Sequence, residues 1–135
     1  MQGSAFDEMD LKKFKALNRC NDCDLSGADF SGRDMNDARL QGANLELANL
    51  SRAKLEYARL ENADLTGANL TGVDARMAKF VGANLSYTNL KKFWPYDADF
   101  TNADLTNTNI EEADFSHAIL CNTKTPWGIE NSGCK

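Results

Sequence analysis

The sequence has little of what most enzymes and membrane proteins need. Its one histidine, His117, lies outside any Ser-His-Asp, Cys-His or two-histidine metal spacing, and no glycine-rich phosphate loop is present. No segment approaches the roughly 20 apolar residues that span a bilayer, and the start of the chain lacks the apolar core of a secretory signal. We therefore expect no catalysis, no cofactor, no metal and no membrane insertion.

An excess of positive charge is also absent. The formal net charge is -5, whereas general nucleic-acid binding needs a basic footprint. The chain of 135 residues is 42% hydrophobic and 26% charged, which is typical of one soluble domain. We expect a single folded domain that does not bind nucleic acid.

The dominant feature is a repeat with a period of five residues, which neither a helix nor a strand produces. A large apolar residue, here called the centre, recurs at every fifth position from Leu25 to Leu120; only Ala75 and Pro95 depart from Leu, Ile, Met or Phe. A small residue, mostly alanine, stands two positions before the centre. The phase holds over residues 23–122 without insertion or deletion. The sequence thus predicts a solenoid built from five-residue steps.

Units such as "GADLTGANL" and "ANLELANLSRAKL" resemble the pentapeptide-repeat family. The resemblance implies an all-β solenoid, a right-handed quadrilateral β-helix, in which each unit forms one side of a square and four units make a coil. About five coils are then expected, with centres and alanines pointing inward.

Centres that are 20 residues apart should stack in a square coil. One predicted core stack is uniform over five coils and consists of Leu25, Leu45, Leu65, Leu85 and Leu105. The undersized Ala75 and Pro95 are each followed in the same coil by a phenylalanine, Phe80 or Phe100, which keeps the core volume nearly constant.

The residue before the centre is Asp or Asn in most units. Such side chains bond to nearby backbone N–H groups in turns, so we assign them a structural role. Calcium binding is disfavoured because the rows alternate Asp with Asn, as in Asp24, Asn44 and Asp64, and lack a bidentate Glu at loop spacing.

Solenoids need caps at their open ends. Residues 1–22 are predicted as an N-terminal cap with a short amphipathic helix that uses Phe6, Met9, Leu11, Phe14 and Leu17. Residues 23–122 are the predicted solenoid, and residues 123–135 are a C-terminal capping loop in which Trp127 and Ile129 cover the final coil.

Four cysteines form two pairs, Cys20 with Cys23 and Cys121 with Cys134. A shared zinc site is excluded by geometry, because coils that rise by about 4.8 Å place the pairs roughly 20 Å or more apart. We predict a disulfide between Cys121 and Cys134, whereas for Cys20 and Cys23 a disulfide and free thiols both stay open.

The two ends also resemble those of exported bacterial or cyanobacterial family members. An oxidising compartment, such as the periplasm or thylakoid lumen, or secretion is expected if both pairs are bonded, with the cytoplasm as the alternative.

Two surface features are candidates for an interaction site. The pattern breaks at "LKKFWPYDADF", where Phe93, Trp94 and Pro95 replace the usual residues, and we predict that Lys91, Lys92 and Tyr96 are exposed beside them. Local packing of Phe93 or Trp94 over Pro95 is the alternative. The second feature is a row of cations one coil apart: Arg39, Arg59 and Lys79.

These features favour a non-catalytic structural or protein-interaction scaffold, a monomer or weak dimer whose partner is another protein. The alternative comes from the resemblance, since some family members mimic DNA and protect type II topoisomerases from quinolones.

Overall fold

A computed structural model describes residues 6–135 of the chain. One helix, α1 (Glu8–Leu17), precedes the repeat, and two short antiparallel strands, β1 (Thr123–Thr125) and β2 (Gly128–Glu130), follow it. Between them the chain forms isolated parallel bridges between residues that are 20 apart, from Arg19 with Arg39 to Asp104 with Lys124. The repeat therefore coils with four pentapeptides in each turn.

Backbone hydrogen bonds between successive turns build the walls. The Leu45 amide donates to the Asp64 carbonyl at 2.7 Å, and the Asn44 amide donates to the Cys23 carbonyl at 2.8 Å. This arrangement turns the centre and the preceding small residue inward. The predicted stack is confirmed, since each of its five leucines is at most 1% exposed: Leu25, Leu45, Leu65, Leu85 and Leu105.

The Asp and Asn side chains satisfy the corner backbone, as predicted. The Asp64 carboxylate accepts hydrogen bonds from the Thr66 amide at 2.9 Å and the Thr66 hydroxyl at 2.6 Å. Asn84 binds Ser86 in the same way, at 2.9 and 2.7 Å. A corner in every unit explains why Asp and Asn recur with the period.

Helix α1 covers the N-terminal end of the solenoid. Asp7 caps the helix by accepting from the Asp10 amide, and Asn18 ends it in the left-handed conformation. Phe14 is fully buried and its ring lies 5.3 Å from that of Phe30. Two of the predicted contact residues are wrong, because Met9 and Leu17 are exposed.

Four phenylalanine rings fill the core where the centres are small. Phe80 and Phe100 are stacked with centroids 5.0 Å apart, and Phe93 lies 6.1 Å from Phe80. Phe115 lies 5.5 Å from Phe100. The predicted exchange of volume between Pro95 and its neighbours is confirmed, and Phe93 takes part in it.

Pro95 interrupts the wall on one side only. Trp94 still forms its bridge with Asp74 in the preceding turn, whereas residues 6–135 contain no bridge from Trp94 to Asp114. The reason is that Pro95 has no N–H to donate to the next turn. The predicted deviation is thus confined to the C-terminal side of Pro95.

The C-terminal end is covered less completely than predicted. Trp127 and Ile129 are 54% and 64% exposed, so the expectation that they cover the final coil is wrong. They lie on the β1–β2 hairpin, which leaves an open cleft of about 390 Å³ between Trp127 and the apolar side chains of Ile110 and Phe115. The hairpin is too short to close the square.

Within residues 6–135, no helix has the length and apolar character needed to cross a membrane.

Candidate interaction surface

We number the pentapeptides of each turn, and the faces that they form, from the unit centred on Leu25, so that the third is centred on Met35 in the first turn and on Pro95 in the fourth. The outward residues of the third face form the most varied surface of the solenoid. Lys54, Asp74 and Trp94 follow one another through parallel bridges on this surface. We use the name aromatic patch for five of its residues: Tyr57, Arg76, Trp94, Tyr96 and His117. Tyr57 and Trp94 are 54% and 51% exposed.

Arg76 organises the aromatic patch. Its guanidinium lies 4.3 Å from the centroid of the Trp94 ring, at the distance of a cation–π contact. The same group donates two hydrogen bonds to the Asp74 carboxylate, at 2.9 and 2.8 Å, and lies 3.8 Å from Glu56. Trp94 is therefore held at the surface over a fixed cation.

The ion pair shifts the pKa of both Asp74 and Arg76. Its hydrogen bond with Asp74 raises the pKa of Arg76, and the hydrogen bond from Arg76 is the main cause that lowers the pKa of Asp74 below 3.8. The Asp74 carboxylate also accepts a hydrogen bond from the Arg76 backbone amide at 3.2 Å. It therefore caps a corner of the coil and also fixes the Arg76 side chain of the aromatic patch.

Tyr96 and His117 extend the patch toward the C-terminal end, with ring centroids 4.9 Å apart. The Asp97 amide donates to the His117 carbonyl at 3.0 Å, which joins the two turns beside the gap left by Pro95. Rigid, exposed Trp, Tyr and Arg side chains are the types that dominate protein interfaces.

The residues predicted around the break do not form one surface. Phe93 is only 2% exposed, so its assignment to the interaction surface is wrong and the alternative, local packing, is confirmed for Phe93. Its ring lies among the core phenylalanines, 6.1 Å from Phe80 and 6.3 Å from Phe100. Lys91 is partly buried and lies 3.8 Å from Glu111, and Lys92 is an exposed corner residue with a φ of 59°. Trp94 and Tyr96 belong to the aromatic patch.

The predicted cations occupy another face, that of the fourth pentapeptide. Arg39, Arg59 and Lys79 are exposed and joined in sequence by parallel bridges, and the row begins one turn earlier with Arg19. We call these four residues the basic ladder. Glu61 binds Arg59 through two hydrogen bonds, at 2.7 and 3.2 Å.

Both cysteine pairs are bonded, Cys20 to Cys23 and Cys121 to Cys134. Asp10, Cys20 and Cys23 present ligand-type atoms within 4.8 Å of one another. However, thiolates rather than disulfide sulfurs bind metals, and Asp10 accepts from the Asp24 amide at 2.8 Å. This cluster is a structural anchor of α1.

Sequence reasoning missed Arg76, His117 and Arg19 as members of these surfaces. Their positions follow from the spacing of 20 when it is applied to outward residues as well as to centres. Arg76 stands one turn before Tyr96, and Arg19 stands one turn before Arg39.

The bridges, the inward alanines and the corner hydrogen bonds define a β-helical protein made of five-residue repeats. The sequence profile of pentapeptide repeats matches residues 19–52, 48–86 and 97–124. The chain therefore belongs to the pentapeptide repeat family.

Solved structures of the same family are similar to this chain. A pentapeptide repeat protein from the Arabidopsis thaliana thylakoid lumen is 34% identical, with 81% of this chain and 68% of that one covered and a TM-score of 0.51. The pentapeptide repeat protein Rfr23 of the cyanobacterium Cyanothece 51142 is 26% identical, with coverages of 82% and 92% and a TM-score of 0.49.

QnrB1, a plasmid-mediated fluoroquinolone resistance protein, is 21% identical, with coverages of 78% and 64% and a TM-score of 0.39. The comparison with curated proteins gave no match.

Proposed function

We propose that this protein is a non-catalytic scaffold that binds another protein through the aromatic patch. The observation that carries the proposal is the Trp94 ring, half exposed and held over the Arg76 guanidinium at 4.3 Å. Fixing these side chains before binding lowers the entropy that an interface must otherwise lose. A filled solenoid core gives the patch a rigid base.

The chemistry of the patch supports binding and not catalysis. His117 packs against Tyr96 and has neither a nucleophile nor a second histidine at hydrogen-bond distance within residues 6–135. The Asp74 carboxylate is occupied by Arg76, which leaves it unsuited to proton transfer.

The experiment compares affinity capture from the native source with three baits. These are the wild type, a Trp94→Ala/Tyr96→Ala variant, and a Tyr87→Ala variant as control, because Tyr87 is an exposed tyrosine on another face. We expect the double variant to lose specific partners that the control retains. Identical partner sets for the two variants would refute the proposal. Phe93 is left unchanged because its truncation would disturb the core.

The alternative function, a DNA mimic that binds and protects a type II topoisomerase, is tested by a gyrase supercoiling assay with and without a quinolone. The basic ladder opposes this alternative, because a duplex mimic presents rows of carboxylates. We expect the protein to leave supercoiling and its inhibition unchanged.

We also propose that the protein acts in an oxidising compartment, such as the thylakoid lumen or periplasm, as a right-handed quadrilateral β-helix of about five coils. Two disulfides and the lumenal relative support the compartment. Bridges that run from Arg19 to Lys124 at a spacing of 20 support the coil number. Mass spectrometry of protein from the native source, alkylated before reduction, tests the redox state.

A further inference from the structure

The basic ladder is a row of four exposed cations on one face of the solenoid. Arg19, Arg39, Arg59 and Lys79 occupy the same outward position in four successive turns and are joined by parallel bridges. With about 4.8 Å between turns, the row extends for about 14 Å. Asp99 occupies the same position in the next turn and ends the row.

The residues of the basic ladder cannot accept the backbone hydrogen bond that Asp or Asn accepts at the same position on other faces. On the first and second faces the same position is Asp or Asn in every repeat unit from Asp24 to Asn109 and caps the amide two residues on, as Asn44 does for Glu46 at 3.0 Å. On the ladder face, the amides of Gln41, Glu61 and Val81 have no acceptor within residues 6–135.

On the third face, a side chain of the preceding turn replaces one such missing hydrogen-bond acceptor. Lys54 also replaces Asp or Asn, but there the Glu56 amide donates to the Asn36 side chain of the preceding turn at 2.9 Å. No equivalent acceptor serves the ladder face within the described residues. Within residues 6–135, the ladder face therefore lacks intrachain caps in three consecutive turns.

The ladder also crowds like charges. The backbones that carry these cations are about 4.8 Å apart, so the like charges repel one another. Arg59 is the one member with an ion pair in the described part of the chain, to Glu61 at 2.7 Å. Missing caps and charge repulsion at one place are a local conflict of the kind that proteins retain at functional sites.

We propose that the basic ladder binds an acidic polypeptide segment in an extended conformation. Arg19 and Arg39 make no ion pair within residues 6–135, and planar guanidinium groups bind carboxylates in a bidentate manner. Arg59 is already bound to Glu61, so Arg19, Arg39 and Lys79 are the cations open to the segment. An extended segment of about four to six residues covers the length of the row. A nucleic acid fits less well, because the row is one side chain wide and the protein carries a net charge of -5.

This inference does not rest on the function proposed for the aromatic patch, which lies on a different face. Each of the two proposals can therefore be refuted without affecting the other. Loss of partners in the Trp94 variant reports on the patch, and loss of acidic-peptide binding reports on the ladder.

The test measures the fluorescence anisotropy of a fluorescein-labelled hexaglutamate peptide titrated with the full chain. The ladder variant is Arg39→Asn/Lys79→Asn, in which each asparagine restores a corner acceptor. The control is Arg52→Gln/Lys54→Gln, which removes the same charge from exposed residues of other faces. We expect the affinity to fall at least about tenfold in the ladder variant and less than about twofold in the control, at about 20 mM NaCl.

A second measurement separates binding from folding. Since the asparagines restore caps and remove repulsion, the thermal midpoint of the ladder variant should rise by about 2 to 5 °C while its binding falls. The proposal is overturned by any of four results: no hexaglutamate binding by the wild type, equal losses in both variants, no rise in the thermal midpoint, or tighter binding of a labelled hexathymidylate.

Discussion

At the residue scale, several corners place a glycine against a larger side chain of the preceding turn. Asp22 leans over Gly42 and Asn62 leans over Gly82, and a Cβ atom at either glycine would overlap the side chain above it. Both glycines have positive φ angles, +72° and +71°. At these two corners glycine leaves room for the side chain of the preceding turn and adopts the positive φ without strain.

This pairing predicts different costs for two alanine substitutions. Gly82→Ala should destabilise the fold more than Gly32→Ala by up to about 1 kcal/mol. Both positions have a positive φ, but only at Gly82 must a side chain of the preceding turn, Asn62, rotate away from the new Cβ atom. Denaturant unfolding measures the two free energies. Adding Asn62→Ala should remove the difference, and a difference that persists in that background would contradict the steric explanation.

The ion pair in the aromatic patch predicts a pH dependence. Because Arg76 lowers the pKa of Asp74, the pair stabilises the folded state above the unfolded pKa, near 4, and this stabilisation is lost as the pH falls through the folded pKa. Asp74→Asn keeps the corner acceptor and loses the charge. The thermal midpoint of the wild type should exceed that of the variant at pH 7, and the two should converge as the pH falls through the lowered pKa of Asp74 in the folded state.

A difference between the two midpoints that is independent of pH would contradict this assignment to the ion pair. In a Trp127→Phe background, Trp94 is the one tryptophan, and its intrinsic fluorescence offers a second readout because its ring contacts Arg76. The spectrum of Asp74→Asn at pH 7 should resemble that of the wild type in acid.

At the element scale, the repeat, the short N-terminal helix and the disulfide between Cys121 and Cys134 were predictable, whereas the packing of apolar side chains at the two ends was not. The centres and small residues have one environment in every turn. The period of five, together with the four units per coil that the family resemblance implies, therefore located the buried stack from Leu25 to Leu105. Packing at the ends depends on single contacts: Phe14 faces the core, whereas Met9 in the same helix does not. Apolar character without periodicity could not separate the two.

The surface was predictable only in part, for a related reason. Trp94 and Tyr96 lie on one face because the phase of the repeat sets which way each residue points. Phe93 occupies an inward position by the same phase, and its size suits the space beside Pro95. The break in the pattern located the region, but the chemistry of the patch depends on Arg76, which is one turn away.

The C-terminal hairpin predicts a local effect of disulfide removal. The bond between Cys121 and Cys134 spans 13 residues around β1 and β2, and its loss through Cys121→Ser/Cys134→Ser should cost about 3 kcal/mol. Hydrogen exchange should accelerate in residues 123–130 and stay unchanged in residues 42–48. Unchanged hydrogen exchange in the hairpin would contradict this prediction and would show that the pairing of β1 with β2 holds the hairpin without the disulfide.

At the scale of the whole molecule, the solenoid has a closed end and an open end. Helix α1 buries Phe14 against Phe30 at the N-terminal end. At the other end, Ile110 and Phe115 are only partly buried, and their amides have no acceptor within residues 6–135. Since each turn contacts only its neighbours, stability should fall along the axis toward the C-terminal end.

This gradient is measurable by amide exchange and by paired substitutions. The Met35 and Asp37 amides donate to the next turn at 2.8 and 2.9 Å and should exchange slowly, whereas those of Phe115 and His117 should exchange fast. Phe80→Ala should cost about 3 to 5 kcal/mol, because the ring is fully buried, and Phe115→Ala less than about 2 kcal/mol. Equal costs, or uniform protection along the axis, would mean that the molecule unfolds as one unit and that the open end is stabilised by contacts other than those described.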